Sequence, residues 1–216
     1  MSVIPKSPSA DDYSKEADRP LISAASDPIE LFQDWMAEAR AAELNDSNAM
    51  SLATVDADGM PDVRMVLLKG VSTEGFCFYT NLESTKGTQL SSTPKAALGF
   101  HWKSLRRQVR VRGAIETLPD ADADAYFASR AKLSRISALA SDQSRPLEDR
   151  AVFKARVDAL MAKYDDDDAI PRPAHWGGFR VVPESIEFWQ DQSFRMHDRL
   201  MFARDGEGWT TTRLYP

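Results

Sequence analysis

Hydrophobic and polar residues recur along this chain with two different periods, and the switches between them mark its elements. From Asp27 the period is helical: Ile29, Phe32, Met36 and Ala39 follow at about one-turn spacing, with Leu31 and Trp35 beside them. Asp27 supplies a cap, Pro28 suits the first helical position, and Glu30 falls three residues after the cap. A helix is therefore expected from Asp27 to about Leu44. The period then drops to two. AMSLATV (49–55), DVRMVLLKG (62–70), FCFYTN (76–81), KAALGFHW (95–102) and RRQVRVRGAIETL (106–118) read as strands joined by turns such as DADG and STEG. In RRQVRVRG the alternation is strict, which points Val109 and Val111 at a core and Gln108, Arg110 and Arg112 away from it. Short-linked strands of this kind predict an antiparallel meander with barrel topology.

The helical period returns at Pro119. PDADADAYFASR carries acids where a helix begins and an aromatic pair before Arg130. Residues 133–140 form a second helical stretch. Residues 147–164 form a third, with Val152, Phe153, Val157, Leu160 and Met161 along its apolar face. The acidic run at 165–168 reads as a solvated loop, and no metal site is expected. Strands close the chain: GGFRVVP, SIEFWQ, RLMFAR and WTTTRLYP, with DGEG as a hairpin turn between the last two. Residues 1–26, rich in Ser, Pro and Asp and without periodicity, read as a mobile tail before a single domain at 27–216.

Charge and composition narrow the function classes. The net charge is −6 and the pI about 5.2, which argues against a nucleic-acid partner, because phosphate-backbone binding needs a basic face. Local clusters of cations must then serve a small anion or an internal need. The lone cysteine, Cys77, can form neither an intrachain disulfide nor a zinc site by itself. The first twenty residues hold no apolar signal segment, and no run reaches membrane-spanning length. A cytoplasmic protein without a membrane partner is expected.

The densest chemistry lies at 186–199, IEFWQDQSFRMHDR. Its R-x-H-x-R spacing puts Arg195, His197 and Arg199 on one face if the stretch is an extended strand. A solvated sheet edge and a site for an anionic ligand both fit that pattern. Upstream, RMVLLK (64–69) begins and ends with a cation, and YTN followed by STKG offers hydroxyls, an amide and Lys86 beside a glycine, a set that suits phosphate.

Taken in order, RMVLLK, FYTNLES-K, RRQVRVRG, YFASR, SDQS, WGGFR, IEFWQ with RMHDR, and the terminal RLYP closely resemble the pattern of the pyridoxine/pyridoxamine 5′-phosphate oxidases. The resemblance covers nearly all of 27–216. It implies an α+β fold, mainly an antiparallel split β-barrel with surrounding helices. It also implies a homodimer with FMN at the subunit interface, and O2-driven oxidation of phosphorylated B6 vitamers to pyridoxal 5′-phosphate. By motif, Arg64, Met65, Val66, Leu67, Leu68 and Lys69 would run along the flavin. Tyr79, Thr80, Thr85 and Lys86 would hold it, with Lys86 near its phosphate. Gln108 would meet the ring system, Gln143 and Ser144 would reach in from the partner chain, and Trp189 and Arg199 would complete the pocket. Lys69, Tyr126, Arg130 and Ser134 would hold the substrate phosphate, with Tyr126 and Arg130 on one helix face. Arg195, Met196 and His197 would lie at the substrate, Arg195 and His197 as the catalytic pair. The chain departs from the family pattern at Thr85, where arginine is common, and at Ser137–Leu139. Those departures keep open a second reading, a non-catalytic split-barrel protein that binds flavin or pyridoxal phosphate.

Overall fold

The computed structural model describes residues 19–24, 27–165 and 169–216. Helix α1 (Pro28–Ala42) begins where the capping residues place it, with the Asp27 carboxylate accepting from the Ile29 and Glu30 amides. Its buried face, Ile29, Phe32, Trp35 and Ala39, is the central plug of the core. The Phe32 ring lies 4.9 Å from those of both Phe76 and Phe100 and 6.0 Å from that of Trp102.

Around that plug curls an antiparallel sheet: β1 (Ala49–Val55), β2 (Pro61–Leu67), β3 (Gly70–Ser72), β4 (Gly75–Asn81), β5 (Lys95–Trp102), β6 (Arg107–Thr117), β7 (Trp176–Gln190), β8 (Asp198–Asp205) and β9 (Gly208–Leu214). The order runs β2-β1-β5-β6-β7-β4-β3, and β8 and β9 join through β7. Val109 and Val111 are fully buried, as the alternation in β6 predicts.

The two stretches GGFRVVP and SIEFWQ form one strand rather than two. The first half of β7 pairs with β4 and the second half with β8, while β6 follows it throughout. Between the halves the register slips, with Gly113 opposite Pro183 and Arg112 opposite Ser185. This bulge bends the strand so that one side of the sheet splits into two. A Cβ on Gly113 would sit 1.9 Å from the Val182 carbonyl oxygen, so only glycine admits the bend. The result is a split half-barrel.

Five helices surround the sheet among the described residues: α1, α2 (Thr85–Ser92), α3 (Asp120–Ala128), α4 (Lys132–Ala140) and α5 (Arg150–Lys163). Helix α2 escapes the periodicity because TKGTQLSS is almost wholly polar. It forms on its cap, Ser84, whose hydroxyl faces the Gly87 amide. The turn before it is tight, with Ser84 Oγ donating to the Asn81 carbonyl at 2.6 Å. A Cβ on Gly87 would lie 2.1 Å from the Leu82 carbonyl oxygen. Gly87→Ala should therefore cost about 1–3 kcal/mol in urea unfolding, the usual scale for overpacking. A cost below about 0.5 kcal/mol, the range of unremarkable surface changes, would show that this turn yields freely.

Two further expectations need correction. Arg195, His197 and Arg199 do not share one strand face. Ser193–Arg195 forms a 3₁₀ turn, β8 starts only at Asp198, and Phe194 and Arg195 both take left-handed φ, 55° and 62°. The chain must reverse from β7 into β8 here, and an extended strand cannot do so. The second correction concerns the expected tail, whose described part, residues 19–24, is held in place. The Ile22 amide donates to Asp198 Oδ2 at 2.6 Å, Arg213 Nη2 donates to the Ile22 carbonyl at 2.8 Å, and Gln190 and Gln192 bond the backbone of Pro20 and Arg19. Residues 1–18, 25–26 and 166–168, which include most of the expected tail and most of the acidic run, lie outside the described residues.

Candidate active site

A cleft of about 990 Å³ opens between β2, β4 and the α3–α4 layer. One wall is an aromatic stack. Tyr79 lies 4.2 Å from Tyr126 at 17° and 5.5 Å from Trp176 at 4°. Burial, the largest cause, raises the Tyr79 pKa, so its phenol stays neutral.

Two cations stand over this stack. Lys69 Nζ is 5.7 Å from the Tyr126 ring centre, and the Arg130 guanidinium is 5.1 Å from that of Trp176. Arg130 Nη1 is buried without a hydrogen-bond partner, and burial lowers the Arg130 pKa despite the opposing influence of Tyr126. A desolvated guanidinium proton with no acceptor is costly, and an anion in the cleft would relieve that cost. Ser134 adds a hydroxyl from the first turn of α4. The single helix face expected for Tyr126 and Arg130 is not how they meet. Helix α3 ends at Ala128, and Arg130 follows in a turn with its amide on the Phe127 carbonyl.

A second polar group lines the same cleft. Lys86 Nζ donates to Gln143 Oε1 at 2.9 Å and to Ser84 Oγ at 3.1 Å, and Thr80 Oγ1 lies 3.5 Å from the same Gln143 oxygen. Burial first, then the charge of Arg64, lowers the Lys86 pKa, while Asp62 opposes them. Gln143 thus meets Lys86 and Thr80 of its own chain, contrary to the expectation that it arrives from a partner. The loop after α4 folds back along β4, where Asn81 Nδ2 reaches the Ser141 carbonyl at 3.5 Å.

Met65, Val66 and Leu67 line the cleft from β2. Arg64, Leu68, Thr85 and Ser144 are not among its lining residues. The Arg64 guanidinium is engaged by Asp62, Thr54 and Gln89. Leu68 is in the core. Thr85 is exposed at the start of α2, and Ser144 is exposed with φ 70°.

The remaining predicted residues form a separate cluster. Gln108 pairs with Trp189 across β6 and β7, and Trp189 pairs with Arg199 across β7 and β8. The His197 ring is 4.6 Å from that of Trp189. Arg195 and Met196 are exposed on the turn beside it. Buried Glu187 anchors the cluster: Arg199 Nε donates to its Oε1 at 2.9 Å, and Arg110 pairs with its other oxygen. Sequence reasoning does not pick out Glu187 as a site residue. Its one signal is position, two residues before Trp189 and so on the same face of β7.

The two clusters are apart within one chain. Met65, Ser51, Gly99, Arg110 and Glu187 form one continuous row of paired residues. That row spans four strand spacings of about 4.8 Å, roughly 19 Å. At its β2 end the same face exposes Val63 (64%) and Met65 (63%), an apolar surface suited to burial against another subunit.

Residues 36–164 match the family model described as pyridoxamine 5′-phosphate oxidase, and residues 176–216 match the pyridoxine 5′-phosphate oxidase C-terminal dimerisation region. The chain belongs to the pyridoxine/pyridoxamine 5′-phosphate oxidase family. A family relative named pyridoxine/pyridoxamine 5′-phosphate oxidase from Hyphomonas neptunium is 69% identical, over 100% of this chain and 99% of that one. Another of the same name, from Gluconobacter oxydans, is 58% identical over 93% of this chain and 100% of its own length. Among solved structures, PhzG from Burkholderia lata 383, in complex with tetrahydrophenazine-1-carboxylic acid, superposes with TM-score 0.84 at 32% identity. That match covers 90% of this chain and 95% of PhzG. The oxidase family's split barrel is thus the fold of this protein.

Proposed function

We propose that this protein oxidises pyridoxine 5′-phosphate and pyridoxamine 5′-phosphate to pyridoxal 5′-phosphate. With the alcohol, O2 is consumed and H2O2 released; with the amine, water is consumed as well and NH3 leaves. The observation that carries the reading is the unpartnered Nη1 of Arg130, buried beside Lys69, Tyr126 and Ser134 in the cleft. Cations and hydroxyls converging on an apolar floor suit a phosphate monoester attached to an aromatic ring. The names of the relatives point the same way.

FMN fits the donor set of the cleft. Lys86, Thr80 and Gln143 offer a cation, a hydroxyl and an amide for its phosphate, and the β2 edge from Met65 to Leu67 gives its ring system an apolar rail. When bound, FMN supplies the hydride acceptor, so this chain's own residues bind, orient and stabilise charge. Gln108, Trp189 and Arg199 of a partner subunit would close the flavin site of a homodimer. Arg195 and His197 from the same cluster would lie over the pyridine ring, Met196 beside them, and hold it for hydride loss at C4′. Lys69, Tyr126, Arg130 and Ser134 would fix the phosphate at the far end. The lone Cys77 suits a cytoplasmic setting.

Purified protein saturated with FMN should convert pyridoxine 5′-phosphate in air to the aldehyde, with H2O2 formed in equal amount. Tight binding of flavin and vitamer without turnover would instead establish the non-catalytic reading.

A further inference from the structure

The turn between β7 and β8 holds His197 by one nitrogen. Nδ1 lies 3.0 Å from Asp191 Oδ1 and 3.3 Å from the backbone nitrogen of Gln192. A neutral ring nitrogen cannot serve both neighbours. With a proton it donates to the carboxylate; without one it accepts from the amide. The carboxylate contact is shorter, and it is charge-assisted, which makes it the stronger of the two. Asp191 is itself fixed: its Oδ2 is 3.2 Å from Arg106 Nη1, and its amide donates to the Arg106 carbonyl at 3.0 Å. Each carboxylate oxygen therefore faces one partner. The Trp189 ring covers one side of the imidazole, and among the described residues Nε2 has no hydrogen-bond partner.

We propose that Asp191 is a positioning residue: it keeps the imidazole proton on Nδ1 and so presents the lone pair of Nε2 outward as an acceptor for the substrate. The consequence for substrate rests on the reading of His197 as substrate-facing; the assignment of the proton does not. An acceptor at Nε2 recognises a hydroxyl or an ammonium hydrogen, the groups at C4′ of the two vitamers, whereas the opposite tautomer would present a donor. Arg106 pairs with the other carboxylate oxygen and so opposes its rotation away from the imidazole.

The test reads the proton directly. The chain has three histidines, so the ring nitrogens of His197 can be assigned in ¹⁵N-labelled holoenzyme by comparison with His197→Gln. In its neutral form the His197 ring of the wild-type protein should show the proton on Nδ1. Asp191→Ala should move it to Nε2, because the Gln192 amide N–H is then the remaining polar neighbour of Nδ1 among the described residues. Asp191→Asn, of equal size, should shift it part of the way, since a neutral carbonyl is a weaker acceptor than a carboxylate. Asp191→Glu, which retains the carboxylate, should recover the wild-type pattern in part. Turnover of pyridoxine 5′-phosphate by Asp191→Asn should fall roughly 10-fold in kcat, the scale set by losing a residue that orients a ligand-binding histidine. Its flavin content and melting temperature should match the wild type.

A wild-type proton on Nε2, or an unchanged tautomer in both Asp191→Asn and Asp191→Ala, would overturn the inference whatever the activity. A tautomer that moves while kcat and KM stay constant would uphold the role of Asp191 and remove His197 from the substrate site, so the two failures are distinguishable.

Discussion

Arg130→Ala should raise the KM for pyridoxine 5′-phosphate by roughly 100-fold while leaving FMN binding within about 2-fold. The size follows from the chemistry of the lost group. A hydrogen bond to a charged partner is worth about 1.5–3 kcal/mol, and a guanidinium can give a phosphate two of them. About 3 kcal/mol corresponds to about two factors of ten in affinity. Arg130 is set for an anion before one arrives. Its Nη1 is already desolvated and unpartnered, and its guanidinium is held over Trp176 and Phe127, so little ordering remains to oppose binding. Arg130→Lys should recover only part of the affinity, since a single ammonium cannot reproduce the planar fork. Steady-state kinetics with both variants decide the matter. A KM within about 3-fold of wild type for Arg130→Ala would remove this residue from the phosphate site and return the cleft's anion to Lys69 and Lys86.

The second large effect lies in the core. Phe32→Ala should lower stability by about 3–5 kcal/mol in urea unfolding, the range for deleting a buried phenylalanine side chain. Phe32 is fully buried, and its ring touches Phe76, Phe100 and Trp102 on strands from different parts of the sheet. Those neighbours belong to β4 and β5 and are held by their own hydrogen-bond ladders, so they cannot easily collapse into the space left behind. The folded fraction should keep its activity, because Phe32 does not line the cleft. A loss below about 1 kcal/mol would mean that the barrel closes around the vacancy, and that α1 is a cover rather than a plug.

The elements that the pattern reveals most plainly are those whose local and tertiary demands agree. Helix α1 has a cap, a proline and an apolar stripe that all report the same start and the same inner face. Strand β6 alternates strictly because one of its faces is core and the other is not. Helix α5 is visible in its spacing, yet none of its residues is buried, so an apolar stripe alone does not measure depth. Helix α2 is invisible for the opposite reason. It has a cap and a turn but only one large apolar residue, Leu90, to bury.

The candidate site divides in the same way. Lys69, Tyr126, Arg130 and Ser134 can be singled out through the motif resemblance, and all four do line one cleft. Their geometry is another matter. Tyr126 and Arg130 converge through a helix end rather than a shared helix face, and Gln143 reaches Lys86 of its own chain because the loop after α4 returns along β4. Glu187 and Asp191 read in the sequence as ordinary acids. Their partners, Arg110, Arg199, Arg106 and His197, are assembled by strand pairing and a tight turn.

By itself the sequence determined the kinds of most elements, α2 and the turn at Ser193–Arg195 apart, together with the inward faces of α1 and β6, the ordered motifs of the oxidase family and the stock of cations and hydroxyls for a phosphate. Those features are written in local period and residue type, which act over a few neighbours along the chain. Only the tertiary structure decided which polar groups meet: the bulge opposite Gly113 that bends the one long strand β7, the turn that takes Arg195 off the strand, and the desolvation that leaves Arg130 Nη1 without an acceptor. Partnership and desolvation depend on what lies across the fold, and residues distant in sequence supply it.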